Sequence, residues 1–353
     1  MGKNCKRNCQ SFAILPKLKN FTILTDYHRG SYEIIGNLFQ NTLQQLGEVR
    51  NLPTPVSLKE RRDLALGLKS GIVFHNTLGD QFIPIKDCYN IAMPLHEWSE
   101  YPKEWIILLN QFDEVWTTTD HILQVLIKGG LTAPVFKLPP ALDSEDIPEK
   151  KNWNISEKPK FYFIGEPHFR KGHHLLIQGF MKAFPEAGSA LLTIKTSSSC
   201  DWDSPRDDII LIKEKWSREK LLKEYTNHDC FISASLGEGL GLPIAEAIMA
   251  KLPICTNFWG GHKSLLTADG FIEITHEEII QPYTSNPAFY AEDQKCAYSS
   301  PQNIKNTIKN FFKTSQTERK EITQIAKEYF LKTYGHENAL KNIESRLVEI
   351  NQK

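Results

Sequence analysis

Residues 229–263 alternate an apolar run, a glycine cluster, a helical pattern and a second apolar run, and few folds accommodate that order. Cys230, Phe231, Ile232, Ser233, Ala234 and Ser235 form a proline-free run that predicts a buried strand. Leu236-Gly-Glu-Gly-Leu-Gly-Leu242 then breaks regular structure. Pro243 suits the first turn of a helix, where a missing N–H removes no bond, so a helix is expected from Leu242 or Pro243. Ile244, Ala245, Ala247, Ile248 and Ala250 give it small apolar contacts. It ends near Lys251-Leu252-Pro253, and Ile254-Cys255-Thr256 returns as a strand. That is a βαβ crossover, the unit of a parallel sheet.

Open parallel sheets bind ligands beyond the carboxyl ends of their strands, which is where residues 236–242 fall. N–H groups at a helix start attract phosphate, and Gly239 and Gly241 lack the Cβ atoms that hold a ligand off the backbone. Glu246 lies about one turn into the helix with its Cβ tilted toward the same mouth. An acceptor-only carboxylate there suits a pair of sugar hydroxyls. Taken singly, each glutamate also has an ordinary use. A Glu in a first turn offsets the helix dipole, and a Glu between glycines is commonly solvated.

The combination is more specific. Glu238-Gly-Leu-Gly-Leu-Pro-Ile-Ala-Glu246-Ala resembles the Glu-x7-Glu segment of retaining glycosyltransferases with the GT-B fold, a family that includes many mannosyl- and glucosyltransferases. The resemblance implies that Glu238 contacts the transferred sugar and Glu246 the nucleotide ribose. It places Gly239, Leu240, Gly241 and Leu242 in the donor site. It also implies an α/β architecture of two Rossmann-like domains facing a cleft, with a C-terminal helix crossing back to the first.

The chain of 353 residues is long enough for two domains and an ample core. No apolar run approaches the roughly 20 residues of a membrane span, and Met1-Gly-Lys-Asn-Cys-Lys lacks a signal-peptide core. A cytoplasmic protein is expected, with peripheral membrane contact left open. Lys plus Arg and Asp plus Glu are each 42, so no global field draws the chain to nucleic acid or anionic lipid. The seven cysteines show no paired CxxC spacing for zinc, so reduced thiols are expected.

In chain order, residues 1–10 read as a mobile tail, 11–145 as an acceptor-side domain and 146–159 as a linker. Residues 160–333 read as the nucleotide-sugar domain and 334–353 as a helix packing on the first domain. A strand at 21–25, the loop Asp26-Tyr-His-Arg-Gly30-Ser31 and a helix to Gly47 resemble the family's opening, with Gly30 letting the loop approach the cleft. Ser57 caps a charged helix through Leu68. The strand Ile72-Val-Phe-His75 places His75 at a carboxyl end facing the acceptor. The family often sets an N-terminal-domain histidine near the donor sugar, and His28 and His96 rival His75 for that place. A histidine buried for structure is an equally ordinary reading.

The second domain opens with a strand at 161–164 and the loop Gly165-Glu166-Pro-His-Phe-Arg170-Lys171-Gly172. The family usually has an arginine after the first glycine and a lysine before the last, and the two cations hold the donor diphosphate. Lys171 matches, but the arginine's place holds Glu166, whose carboxylate repels a diphosphate. Arg170 is the alternative second cation, although both bases also suit a solvated first turn. Asp201-Trp-Asp203 has the form of a metal-binding pair, yet such loop carboxylates are usually only solvated, and no metal is expected. Trp259-Gly260-Gly261-His262 makes a further loop whose amides, Gly261 among them, face the donor.

The expected reaction is transfer of a hexose from a nucleotide-diphosphate sugar to an acceptor hydroxyl with retention. Glu238, Lys171 and His75 carry the chemistry, while Gly30 and His96 stand on the acceptor side. No cofactor is implied, and a glycan, lipid, nucleic acid or small molecule remains open as acceptor. The alternatives are a sugar-nucleotide-binding protein without turnover and a phosphorylase or hydrolase of the same fold.

Overall fold

Short apolar runs alternate with capped helices along most of the chain, and the runs assemble into two parallel sheets. The computed structural model describes residues 18–27, 30–143, 146–282, 291 and 293–352. The tail at 1–10 and His28 lie outside them.

The first sheet takes β1 (Leu18–Thr25), β2 (Gly47–Pro53), β3 (Ile72–Asn76), β4 (Tyr89–Ala92), β5 (Glu114–Thr117) and β6 (Val135–Lys137) in the order β2-β1-β3-β4-β5-β6. Its helices are α1 (Gly30–Leu43), α2 (Leu58–Gly67), α3 (Lys103–Leu109) and α4 (Asp120–Lys128). The second sheet takes β7 (Lys160–Ile164), β8 (Leu191–Lys195), β9 (Ile209–Ile212), β10 (Cys230–Ser233), β11 (Ile254–Thr256) and β12 (Ile272–Glu273) in the order β12-β11-β10-β7-β8-β9. Its helices are α5 (His173–Ala183), α6 (Arg218–Asn227), α7 (Leu242–Met249), α8 (His262–Leu265) and α9 (Pro301–Lys313). A hairpin of β13 (Glu277–Ile280) and β14 (Lys295–Tyr298) is set into the second half, and α10 (Gln316–Tyr334) and α11 (His336–Asn351) close the chain.

Side-chain caps start several helices where the sequence places a hydroxyl. Ser57 and Ser315 form capping boxes with Glu60 and Glu318, and Thr119, Ser217 and Ser300 accept from N–H groups of their first turns. Strand order reverses between β1 and β3 in one sheet and between β7 and β10 in the other. Ligand crevices open beyond the carboxyl ends of strands at such switch points.

The largest apolar cluster joins the two sheets. It runs from Phe21 and Phe39 through Ile343 and Leu347 of α11 and Phe330 of α10 to Ile248 of α7. The chain thus leaves the second sheet through α10 and lays α11 against α1 and β1. At that seam Arg346 Nε donates to Glu114 Oε2 at 3.0 Å, and Tyr89 and Trp116 donate to the same carboxylate at 2.6 and 3.0 Å. Burial opposes ionisation of Glu114, but Arg346 and these hydrogen bonds hold its carboxyl below the usual range.

Candidate functional site

β7 and β10 are neighbours at the switch point, so the loops that follow them, 165–172 and 234–241, meet beyond the sheet. Gly172 has φ +68°, and a Cβ there would lie 2.1 Å from the Ala234 carbonyl oxygen. Only glycine admits that approach. The Leu236 N–H donates to the Arg170 carbonyl at 2.7 Å and fixes the two loops together.

Their side chains converge on Glu238. Lys171 Nζ stands 2.6 Å from Oε1, Arg170 Nη1 3.1 Å from Oε2, and the Ser235 hydroxyl 2.8 Å from Oε1. Arg170 also donates to the Gly237 carbonyl at 2.6 Å and pairs through Nη2 with Glu97 Oε1 at 3.2 Å. Burial works against ionising Glu238, but Lys171 and Arg170 more than offset it and hold the carboxyl well below the ordinary range. Burial likewise draws the Lys171 amine down from its usual value, with Glu238 opposing. The result is a cluster of two cations and two carboxylates at the place where a parallel sheet receives anions.

α7 begins beside this cluster. Gly241, at φ +89°, precedes it without a side-chain cap bond, and Pro243 fills the first turn. Glu246 is buried between α6 and α7, where the Tyr225 hydroxyl donates to Oε2 and Arg218 pairs with Oε1, each at 2.5 Å. His262 lies against Gly241: a Cβ built on that glycine would sit 3.3 Å from its Nε2. Its Nδ1 lies 3.2 Å from the Thr256 hydroxyl and 3.3 Å from the Asn257 carbonyl. Nε2 is buried with no hydrogen-bond partner among the described residues.

The first domain closes over these loops through the segment that follows β4. A Cβ on Gly237 would meet the Glu97 carbonyl oxygen at 2.5 Å, and one on Gly239 the His96 carbonyl oxygen at 2.8 Å. Thr119 Oγ1 donates to the Gly239 carbonyl at 2.9 Å, and the Asp120 N–H to Ser264 Oγ at 3.0 Å. From the hairpin, the Lys295 N–H donates to Ser99 Oγ at 2.7 Å. His121, in the first turn of α4, is hydrogen-bonded to the Trp98 backbone, and burial lowers its pKa to about 4.

No family model matches the chain, and no curated protein matches it. Solved structures do. A glycosyltransferase from Rickettsia africae ESF-5 superposes with a TM-score of 0.70 at 13% identity, over 96% of this chain and 100% of that one. An α,α-trehalose-phosphate synthase (UDP-forming) from Burkholderia vietnamiensis gives 0.64 at 9% identity, over 94% and 100%. The pneumococcal O-GlcNAc transferase GtfA, in complex with UDP and GlcNAc, gives 0.58 at 13% identity, over 83% of this chain and 60% of that one. The fold is GT-B. Identities this low establish the GT-B architecture and carry no residue roles.

Within the GT-B frame the structure gathers Glu238, Lys171 and Arg170 into one cluster, followed in sequence by Gly239, Leu240, Gly241 and Leu242, with Gly261 against the Glu238 and Gly239 carbonyls. Gly239 and Gly241 do not face open space; the backbone at His96 and the His262 ring fill it. The Gly261 N–H does not face a ligand, because it donates to the Glu238 carbonyl at 2.7 Å. Glu166 accepts from Ser197 Oγ at 2.5 Å.

On the first domain, His75 does not face the cleft. It is 2% exposed, its Nε2 lies 3.0 Å from Asn90 Oδ1 and its ring packs edge-on against Phe112. Beside it, α2 and residues 81–85 enclose a cavity of about 90 Å³ that is lined by first-domain residues alone. A Cβ on Gly30 would meet nothing within 4 Å among the described residues. His96 does reach the interface, but Nε2 is engaged by the Glu100 carbonyl and burial lowers its pKa to about 4. Asp203 is fully exposed, 3.5 Å from Lys213. Sequence reasoning gave no role to the side chains of Glu97, His121 and His262. Their partners lie in the other half of the chain or across a loop, and no local spacing marks them.

Proposed function

We propose that the protein is a glycosyltransferase that moves a hexose from a nucleoside-diphosphate sugar to an acceptor hydroxyl with retention. The carrying observation is the pair Lys171 and Arg170 converging on Glu238 at the β7/β10 switch point, beside the start of α7. The names of the fold's neighbours, a UDP-forming synthase and a transferase complexed with UDP, support a nucleotide-sugar donor.

In this reading Glu246 binds the ribose and Glu238 orients the sugar as positive charge develops at its anomeric carbon. The bond from that carbon to the diphosphate oxygen breaks, and the acceptor oxygen bonds to the same face. The acceptor proton passes to a phosphate oxygen of the donor. Lys171 and Arg170 stabilise the charge on the leaving diphosphate from within a largely buried site. Closure of the first domain excludes water and limits hydrolysis. The acceptor binds on the first-domain side.

A second reading, a nucleotide-binding protein without turnover, is favoured by one observation: the crevice before Gly237 and Gly239 is filled by the first domain's own backbone. A thermal-shift panel of UDP-, GDP- and ADP-sugars separates the readings. One donor at about 100 times its Kd should stabilise the protein by about 2.7 kcal/mol, and Glu246→Ala and Lys171→Ala should abolish the shift. Stabilisation without product in any acceptor screen favours the second reading, and no response to any donor removes both.

A further inference from the structure

The cation cluster is divided between the domains in a specific way. Glu238 comes from the same domain as Arg170 and Lys171, and its side chain is 12% exposed. Glu97 comes from the opposite domain, touches only Arg170 among these cations, and is 35% exposed. Its backbone is fixed on both sides: the Glu97 carbonyl abuts Gly237, His96 is held by the Glu100 carbonyl, and Ser99 is tied to Lys295. A carboxylate is thus presented to one edge of the Arg170 guanidinium by a rigid segment. A guanidinium fork donates to carboxylate and phosphate oxygens in the same geometry.

Taking the donor reading above as the premise, we propose that Glu97 occupies the donor phosphate's place on Arg170, so that a nucleoside diphosphate binds by displacing a first-domain carboxylate. With Glu97 and Glu238 in place the charges of Arg170 and Lys171 are matched one for one. An arriving diphosphate then meets a neutral site. Glu238 is the more buried and is held by both cations and by Ser235, so Glu97 is the partner that yields. Its removal leaves one uncompensated cation, which is the condition that favours an anion.

The test is calorimetric titration of UDP, GDP and ADP into the full chain, comparing the native protein with Glu97→Gln and Glu97→Asp. Gln keeps the shape and removes the charge, whereas Asp keeps the charge on a stem too short for the contact. Whichever nucleotide binds the native protein should bind both variants about fivefold more tightly, the effect expected for losing a partly exposed ion pair. Equal or weaker binding in Glu97→Gln overturns the proposal. So does native-like affinity in Glu97→Asp, which would mean that overall charge and not the contact sets the effect. Absence of binding to all three proteins overturns the donor reading itself, and the proposal with it.

Discussion

Glycines that look alike in the sequence answer to different neighbours. Gly172 is at positive φ and a Cβ there would run into the Ala234 carbonyl, whereas a Cβ on Gly30 would meet nothing within 4 Å among the described residues. Gly172→Ala should therefore cost more than about 2 kcal/mol, combining backbone strain and overpacking. Gly30→Ala should stay within about 0.5 kcal/mol of the native protein. Urea denaturation of the two variants checks both values. The sequence showed that these positions lack a Cβ; it did not show what stands opposite. The same holds for His262 and Glu97, whose roles depend on atoms brought near only by the fold. The loops that carry Lys171 and Glu238 and the helix that carries Glu246 were legible because each lies within a single strand–loop–helix unit.

Among elements, the strands buried on both faces and the hydroxyl-capped helices were legible before the structure. β2 and the β13–β14 hairpin were not. β2 is an edge strand reading Gly-Glu-Val-Arg-Asn-Leu-Pro, and edges are kept polar, so its apolar alternation is weak. The hairpin pairs two short runs whose outer residues stay exposed. The end of α11 was expected to return to the first domain, but its ionic anchor was invisible: Glu114 reads as one more polar residue within a strand. Since Glu114 is fully buried, Arg346→Ala should destabilise the protein by about 3–5 kcal/mol by leaving a carboxylate unpaired. Glu114→Gln combined with Arg346→Met should recover much of that loss. Chemical denaturation of the single and double variants measures the difference.

For the whole molecule, buried histidines set a pH limit. His75, His96, His121 and His173 are each lowered by burial from 6.5 to about 4. Between those values the unfolded chain binds more protons than the folded one, so stability is full above about pH 6.5 and falls as the pH drops toward 4. Denaturant midpoints taken from pH 7.5 to 4.5 should fall accordingly. His75→Gln should reduce the slope by about one proton near pH 5. The parallel α/β sheets were legible because repeated strand–helix units leave few alternatives, and their GT-B pairing was legible from the resemblance at residues 238–246. The tightness of the closure between its halves was not, since Gly239, expected to admit a ligand, admits the other domain's backbone. The return of α11 also sets an order of events during synthesis. Glu114 and Arg346 are 232 positions apart, and at ribosomal rates of roughly 5–20 residues per second the first domain waits roughly 10–50 s for the base that neutralises its buried acid. The half of the protein that is made first is the half that is finished last.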